Sequence, residues 1–145
     1  METIKKRFDE LSLDELYLIL HSRQEVFTVE QNIVYQDLDN LDQQSVHLFI
    51  KEDDKMVAYL RIIDAGAKFQ ETSIGRVLTT KEYRGMGYGR KIMLDALDFL
   101  KEIKGFPINI YAQEYLVRFY ESLGFEKRSE PFILEGISHV EMIHP

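Results

Sequence analysis

The chain has 145 residues, 45% of them apolar and 30% charged, with a formal net charge of −7. That length suits one domain, here 1–145, able to bury about two thirds of the surface its unfolded form exposes. Nine Phe and eight Tyr exclude a disordered polar chain. The longest uninterrupted apolar runs, Leu16–Leu20 and Met56–Leu60, are five residues each, so no bilayer span is expected. The absence of cysteine excludes a disulfide framework, a thiol nucleophile and a thiolate metal site. An acidic balance argues against general nucleic-acid binding, which draws on many Lys/Arg–phosphate contacts. The start, Met1-Glu-Thr-Ile-Lys-Lys6, has no apolar h-region. These features predict a soluble, cytoplasmic protein with neither a membrane nor a nucleic-acid partner.

In chain order, Ile4 to Phe8 reads as a short strand. Ser12 followed by Glu15 is a capping-box spacing, and Leu13, Leu16, Tyr17, Leu20 and Phe27 recur at helical intervals, predicting a helix from Leu13 to Val29. Asn32 to Gln44 is polar, acidic and aperiodic, hence loop or short irregular helix. Val46, Leu48 and Ile50 alternate with His47, Phe49 and Lys51, and Met56–Ile63 is a second strand-like run; Glu52–Lys55 between them closes an antiparallel hairpin. Ile74–Leu78 is a third strand. A helix follows with Ile92, Met93, Ala96, Leu97, Leu100 and Ile103 on one face, stopped by Gly105 and Pro107. Pro107–Ala112 is again a strand, and strand, helix and strand of these lengths make a right-handed crossover between parallel neighbours. A shorter helix over Glu114–Leu123 stops at Gly124, and strands Phe125–Arg128 and Ser138–Ile143 finish the chain.

Chemistry concentrates between Ile74 and Lys91. Gly85, Gly87 and Gly89 alternate where a strand turns into a helix, so the backbone can adopt φ > 0 and a ligand can approach it closely. The first-turn amides of that helix are unpaired and carry partial positive charge, which suits phosphate. Lys81, Glu82, Arg84, Arg90 and Lys91 make a local basic site on an acidic chain, favouring a specific anionic ligand. The spacing matches neither the dinucleotide fingerprint nor the Walker loop.

Arg84-x-x-Gly87-x-Gly89, set between a strand and an amphipathic helix, resembles motif A of the GNAT superfamily of N-acetyltransferases. Phe119-Tyr-Glu-Ser-Leu-Gly-Phe125 resembles the end of the family's motif B. Val26–Gln31 with Tyr35, Gln36 and Asp39, and Gly136–Met142, resemble signatures of its ElaA-like branch. Nearly the whole chain is covered. The resemblance implies an α+β fold: a central mixed, mostly antiparallel sheet of about six to seven strands with one splayed parallel pair, flanked by about four helices. It implies acetyl-CoA as cosubstrate and no metal. The cofactor's pyrophosphate would sit on the amides of Arg84, Gly85, Met86, Gly87, Tyr88, Gly89 and Arg90, its pantetheine arm along Val77, Leu78 and Thr79. Gln113 stands where the superfamily more often has Asn at this strand end.

Tyr120 matches the tyrosine that protonates the departing thiolate in the family, although its spacing from Leu116 and Leu123 also fits a core aromatic. Many members carry a carboxylate on the strand before the glycine turn; this chain has Arg76 there, which leaves the general base open. Glu25, Glu30, Asp37, Asp39 and Asp42 lie in a stretch without Lys or Arg, and negative potential there would attract a cationic amine. Glu30 is the first candidate for acceptor contact or base. His47 and His139 fall on predicted strands, where a histidine is usually packing, and no paired spacing supports a metal. The expected activity is transfer of an acetyl group to a primary amine of a small molecule or peptide by direct attack in a ternary complex. The alternative is a CoA-binding sensor or scaffold on the same fold. Edge-strand dimers are common in the family, so a homodimer is compatible with the resemblance, though no segment singles out an interface.

Overall fold

Eight strands form one sheet in the order β1-β2-β3-β4-β5-β8-β6, with β7 also pairing to β8. The computed structural model describes all residues, 1–145. The strands are β1 (Ile4–Arg7), β2 (Val46–Glu52), β3 (Lys55–Ile63), β4 (Thr72–Thr79), β5 (Ile108–Gln113), β6 (Glu126–Lys127), β7 (Phe132–Leu134) and β8 (Ile137–His144). The helices are α1 (Leu13–Arg23), α2 (Tyr88–Glu102) and α3 (Val117–Glu121). All neighbouring pairs are antiparallel except β4 and β5. The sheet thus has one strand more than expected, because Phe132–Leu134 folds back on β8 from a stretch without periodic signal. No helix is long and apolar enough to cross a membrane.

Alternation on β2 sorts the two faces. Val46, Leu48 and Ile50 join Ile92, Met93, Ala96, Leu97 and Leu100 of α2 in the larger core. Phe49 points the other way, to a smaller core with Tyr59, Ile19 and Val26. The α2 stripe is as expected except for Ile103, which lies past the helix end and is 55% exposed. The C-terminal helix is shorter than its pattern suggests, a 3₁₀ turn over Glu114–Leu116 leading into α3.

The first helix departs most from expectation. Its capping box is present: Ser12 Oγ accepts from the Glu15 amide at 3.0 Å, and Glu15 Oε1 from the Ser12 amide at 2.8 Å. The buried stripe, however, is Glu15, Ile19, Ser22 and Arg23, while Leu13 and Tyr17 are 87% and 73% exposed. After Arg23 the coil widens into a π-helical segment, Gln24–Glu30, a local geometry that often marks functional sites. The helical extent toward Val29 is therefore right, but not its α character.

A buried ionic network explains why a polar face turns inward. Arg23 and Arg61 are almost wholly buried. Arg23 donates through Nη1 to Asp42 Oδ1 at 2.6 Å and through Nε to Asp37 Oδ2 at 3.0 Å. Arg61 Nη1 donates to Asp42 Oδ1 at 2.9 Å and Asp39 Oδ1 at 2.8 Å, and its Nη2 bonds Asp39 Oδ2. Arg76 donates from Nε to Asp37 Oδ1 at 2.8 Å and from Nη2 to the Asp37 carbonyl at 2.9 Å. The acidic stretch is neutralised by arginines from α1, β3 and β4, so the free negative potential expected of Asp37, Asp39 and Asp42 is absent.

Burial pushes the Asp39 and Asp42 carboxyls up, but hydrogen bonds from Arg61 and Arg23 outweigh it and hold both below the usual carboxylate range. The folded state thus binds protons on these groups more weakly than the unfolded chain does. Their contribution is fully present above the ordinary aspartate value of about pH 4 and is lost as pH falls from there toward the folded values. Asp42→Asn removes the shared anion of Arg23 and Arg61 and should destabilise the fold by about 3–5 kcal/mol. Thermal unfolding followed by circular dichroism checks this, and an unchanged midpoint would show that the network adds no stability. The same variant should show a shallower loss of stability below about pH 4.

Candidate functional site

β4 and β5 begin side by side and then part. Their parallel register holds only at Thr72 with Ile108 and Ser73 with Asn109. Beyond Ser73 the edge of β4 that faces β5 has no strand partner, although β4 stays paired to β3 as far as Thr79. Between Tyr59 and Arg61 of β3 there is one residue; between Leu78 and Gly75 of β4 there are two. This extra residue is a β-bulge, a device that re-aims backbone groups. Arg76 at the bulge has φ of +53°, a left-handed conformation disfavoured for a side chain of its size. Its bonds to Asp37 hold it there, so the buried network fixes the shape of the strand edge.

The open edge leads into the glycine turn. Gly85 and Gly87 have φ of +77° and +84°, and Gly87 is the N-cap of α2. No side chain caps that helix, and its first turn holds no acidic residue. The first backbone amide there to bond within the helix is that of Lys91, to the Gly87 carbonyl at 3.0 Å. The amides ahead of it therefore remain available to an anion. Gly89 has a different reason to be glycine: a Cβ there would meet Thr79 Oγ1 at 3.3 Å, so its absence lets α2 start close against β4.

A cavity of about 790 Å³ runs from this turn through the gap between β4 and β5. Of the residues expected at a site, Val77, Leu78, Thr79, Arg84, Gly85, Gly87, Tyr88, Gly89, Arg90, Gln113, Tyr120 and Glu30 all line it. Met86 does not; its side chain projects from the turn and is 63% exposed. Gln113 Oε1 lies 3.5 Å from Gln31 Nε2, at the limit of a hydrogen bond across the gap. Tyr120 is buried between Phe119 and Phe125, with ring centroids at 5.2 and 5.9 Å. Burial pushes its phenol up, and nearby Tyr115 pushes the same way.

The charges of the site are less free than the sequence suggests. Arg84 donates to both oxygens of Glu30, at 2.6 and 3.0 Å, and from Nε to the Thr79 carbonyl at 2.9 Å. Lys91 is paired with Asp95 at 3.1 Å. Arg90 faces Ser122 Oγ at 3.1 Å and has no carboxylate partner. The other side of the cavity carries Tyr35, Lys68, Tyr111 and His139, none of which sequence patterning marks as functional; the strand position of His139 reads as packing. Tyr35 and His139 lie inside the segments that resemble branch signatures, which is the one available signal for them.

A model of the acetyltransferase (GNAT) domain matches residues 17–144. A UPF0039 protein from Synechocystis is 43% identical over 140 residues, covering 95% of this chain and 91% of that one. The crystal structure of Escherichia coli ElaA superposes with a TM-score of 0.92 at 33% identity, covering 99% of both chains. That of an acyl-CoA N-acyltransferase from Pseudomonas aeruginosa gives 0.93 at 33% identity, again over 99% of both. The splayed parallel pair, the uncapped glycine turn and these likenesses agree: the chain belongs to the GNAT acetyltransferase family and has its mixed α/β fold.

Proposed function

We propose that this protein is an acetyl-CoA-dependent N-acetyltransferase acting on a primary amine of a small molecule or peptide. The observation that carries the reading is the continuity of three features: the unpartnered edge of β4, the uncapped amides of the glycine turn, and a buried tyrosine lining the same cavity. The amides from Gly85 to Arg90 suit the pyrophosphate of the cosubstrate. The edge of β4 turned away from β3 along Val77, Leu78 and Thr79, where the Thr79 carbonyl already accepts from Arg84, suits an amide-bearing arm laid along the strand, as added strands suit any open sheet edge. An amide on the same edge would stabilise the oxyanion that forms when an amine attacks the thioester.

Tyr120 is the general acid in this reading. Its phenol is protonated at neutral pH; burial raises it further and makes it a weaker acid, so it acts by hydrogen-bonding to the departing thiolate and sharing its proton as the C–S bond breaks. Glu30 accepts from Arg84 through both oxygens and so ties the π-helical segment to the glycine turn; each oxygen keeps a further lone pair for contact with the acceptor amine.

Acetyl-CoA at about 100 times its Kd should stabilise the fold by about 2.7 kcal/mol. The midpoint should then rise on the order of 5–11 °C. CoA should act similarly and ATP much less; no shift at millimolar acetyl-CoA would end the acetyltransferase reading. Gly87→Ala should weaken this shift, and it should also destabilise the ligand-free protein by about 1–2 kcal/mol, because the turn requires a left-handed residue. Tyr120→Phe should lower kcat by about 10²-fold while leaving the Kd for acetyl-CoA within a few-fold. An unchanged kcat would remove Tyr120 from the chemistry.

A further inference from the structure

Amine acetylation needs a proton acceptor, and the strand before the glycine turn offers none: Arg76 occupies that place and is bound to Asp37. Glu30 is engaged by Arg84. Asp37, Asp39 and Asp42 all accept from arginines. Of the other ionisable side chains lining the cavity, Glu135 is exposed on the turn before β8 and the Lys68 amine is fixed by no hydrogen bond, whereas one group holds a basic lone pair in a defined orientation. His139 is 9% exposed, lies opposite Gln113 across the β5–β8 pairing, and stacks on Phe132 with ring centroids 6.2 Å apart. Its Nδ1 is 2.8 Å from the Ile137 carbonyl oxygen. A carbonyl only accepts, so Nδ1 carries the hydrogen, and Nε2 of the neutral ring is left with a lone pair.

We propose that His139 Nε2 is the general base of this acetyltransferase; the inference rests on the acyl-transfer reading above. The acceptor ammonium gives one proton to Nε2, which passes it to solvent. The freed nitrogen lone pair attacks the acetyl carbonyl carbon. Collapse of the tetrahedral adduct breaks the C–S bond, the electron pair leaves with sulfur, and Tyr120 protonates it. The second proton of the new amide nitrogen then returns to the Tyr120 phenolate. The Phe132 stack and the Ile137 bond fix the ring plane, so no rotamer search precedes the transfer. The ionisable groups on the elements around it leave it free. On the same sheet face, Glu141 accepts from Asn109 at 2.6 Å, and burial pushes the Tyr111 phenol up. Glu114 accepts from Ser138 at 2.9 Å, while Tyr115 and the turn residue Glu135 are exposed.

The test has two parts on the full chain. ¹⁵N-imidazole NMR, with the signal assigned by its loss in a variant, should show the neutral His139 ring as the Nδ1–H tautomer whether or not any amine turns over. An Nε2–H tautomer would overturn the proposal. Thiol release from acetyl-CoA is then measured against pH with ethylamine as a small primary-amine probe. His139→Asn keeps an amide donor for the Ile137 carbonyl but has no lone pair at the Nε2 position. It should lower kcat/KM for the amine by about 10²–10⁴-fold. It should also abolish the acid limb of the pH profile while retaining the midpoint shift with acetyl-CoA. A variant with the parent's limb and rate overturns the base assignment alone. Loss of the acetyl-CoA shift in the parent protein would instead sink the acyl-transfer reading.

Discussion

Three arginines and three aspartates meet where α1, the irregular stretch before β2, and strands β3 and β4 converge, and the architecture of the active face depends on that meeting. The segment from Asn32 to Gln44 has no apolar periodicity and only a single 3₁₀ turn, at Asp42–Gln44, so hydrophobic burial alone would not fix it. Its carboxylates are held instead by guanidiniums at 2.6–3.0 Å. Such pairs gain little against well-packed apolar groups, but losing one partner is severe, which makes them better suited to specifying an arrangement than to adding stability. His47 extends the arrangement: its Nε2 donates to the Asp42 carbonyl at 2.9 Å, and its Nδ1 accepts from the Tyr59 hydroxyl at 2.7 Å.

The network shapes the site through Arg76. The bulge in β4 requires a left-handed residue, and a long cationic side chain is a poor choice for that backbone taken alone. Tethering it to Asp37 makes the choice workable and aims the strand edge into the gap beside β5. The sheet thus opens for two separate reasons. The parallel pairing stops after two residue pairs, and the bulge redirects the remainder of β4. The glycine turn then contributes backbone amides where the open edge ends.

The parts of this fold that obey short-range periodicity were legible in the sequence. The α2 stripe from Ile92 to Leu100, the β2–β3 hairpin and the Ser12–Glu15 cap involve neighbours a few residues apart, and each stands as expected. The Gly85–Gly87–Gly89 turn was legible for a similar reason, since glycine at alternate positions after a strand has few purposes. The face of α1 was not, because Arg23 is buried by partners 14 and 19 residues away, and a periodicity rule scores it as surface. The acidic stretch misled for the same reason: its neutralising charges come from Arg23, Arg61 and Arg76, all outside it. Nothing local distinguished His139 from a packing histidine; its distinction lies in which cavity the β8 register turns it toward.

The tether at Arg76 also constrains how this chain can diverge. A glycine at that position would relax the backbone but leave Asp37 with one fewer cation. An aspartate at the same place would set like charges side by side against the buried carboxylates. Changes at 37, 39 or 42 likewise strand an arginine at 23, 61 or 76. Directly bonded positions of this kind do not contribute additively. Among descendants of this sequence the six should therefore be replaced in concert or not at all, so that a strand edge built from backbone atoms is inherited together with the side chains that brace it.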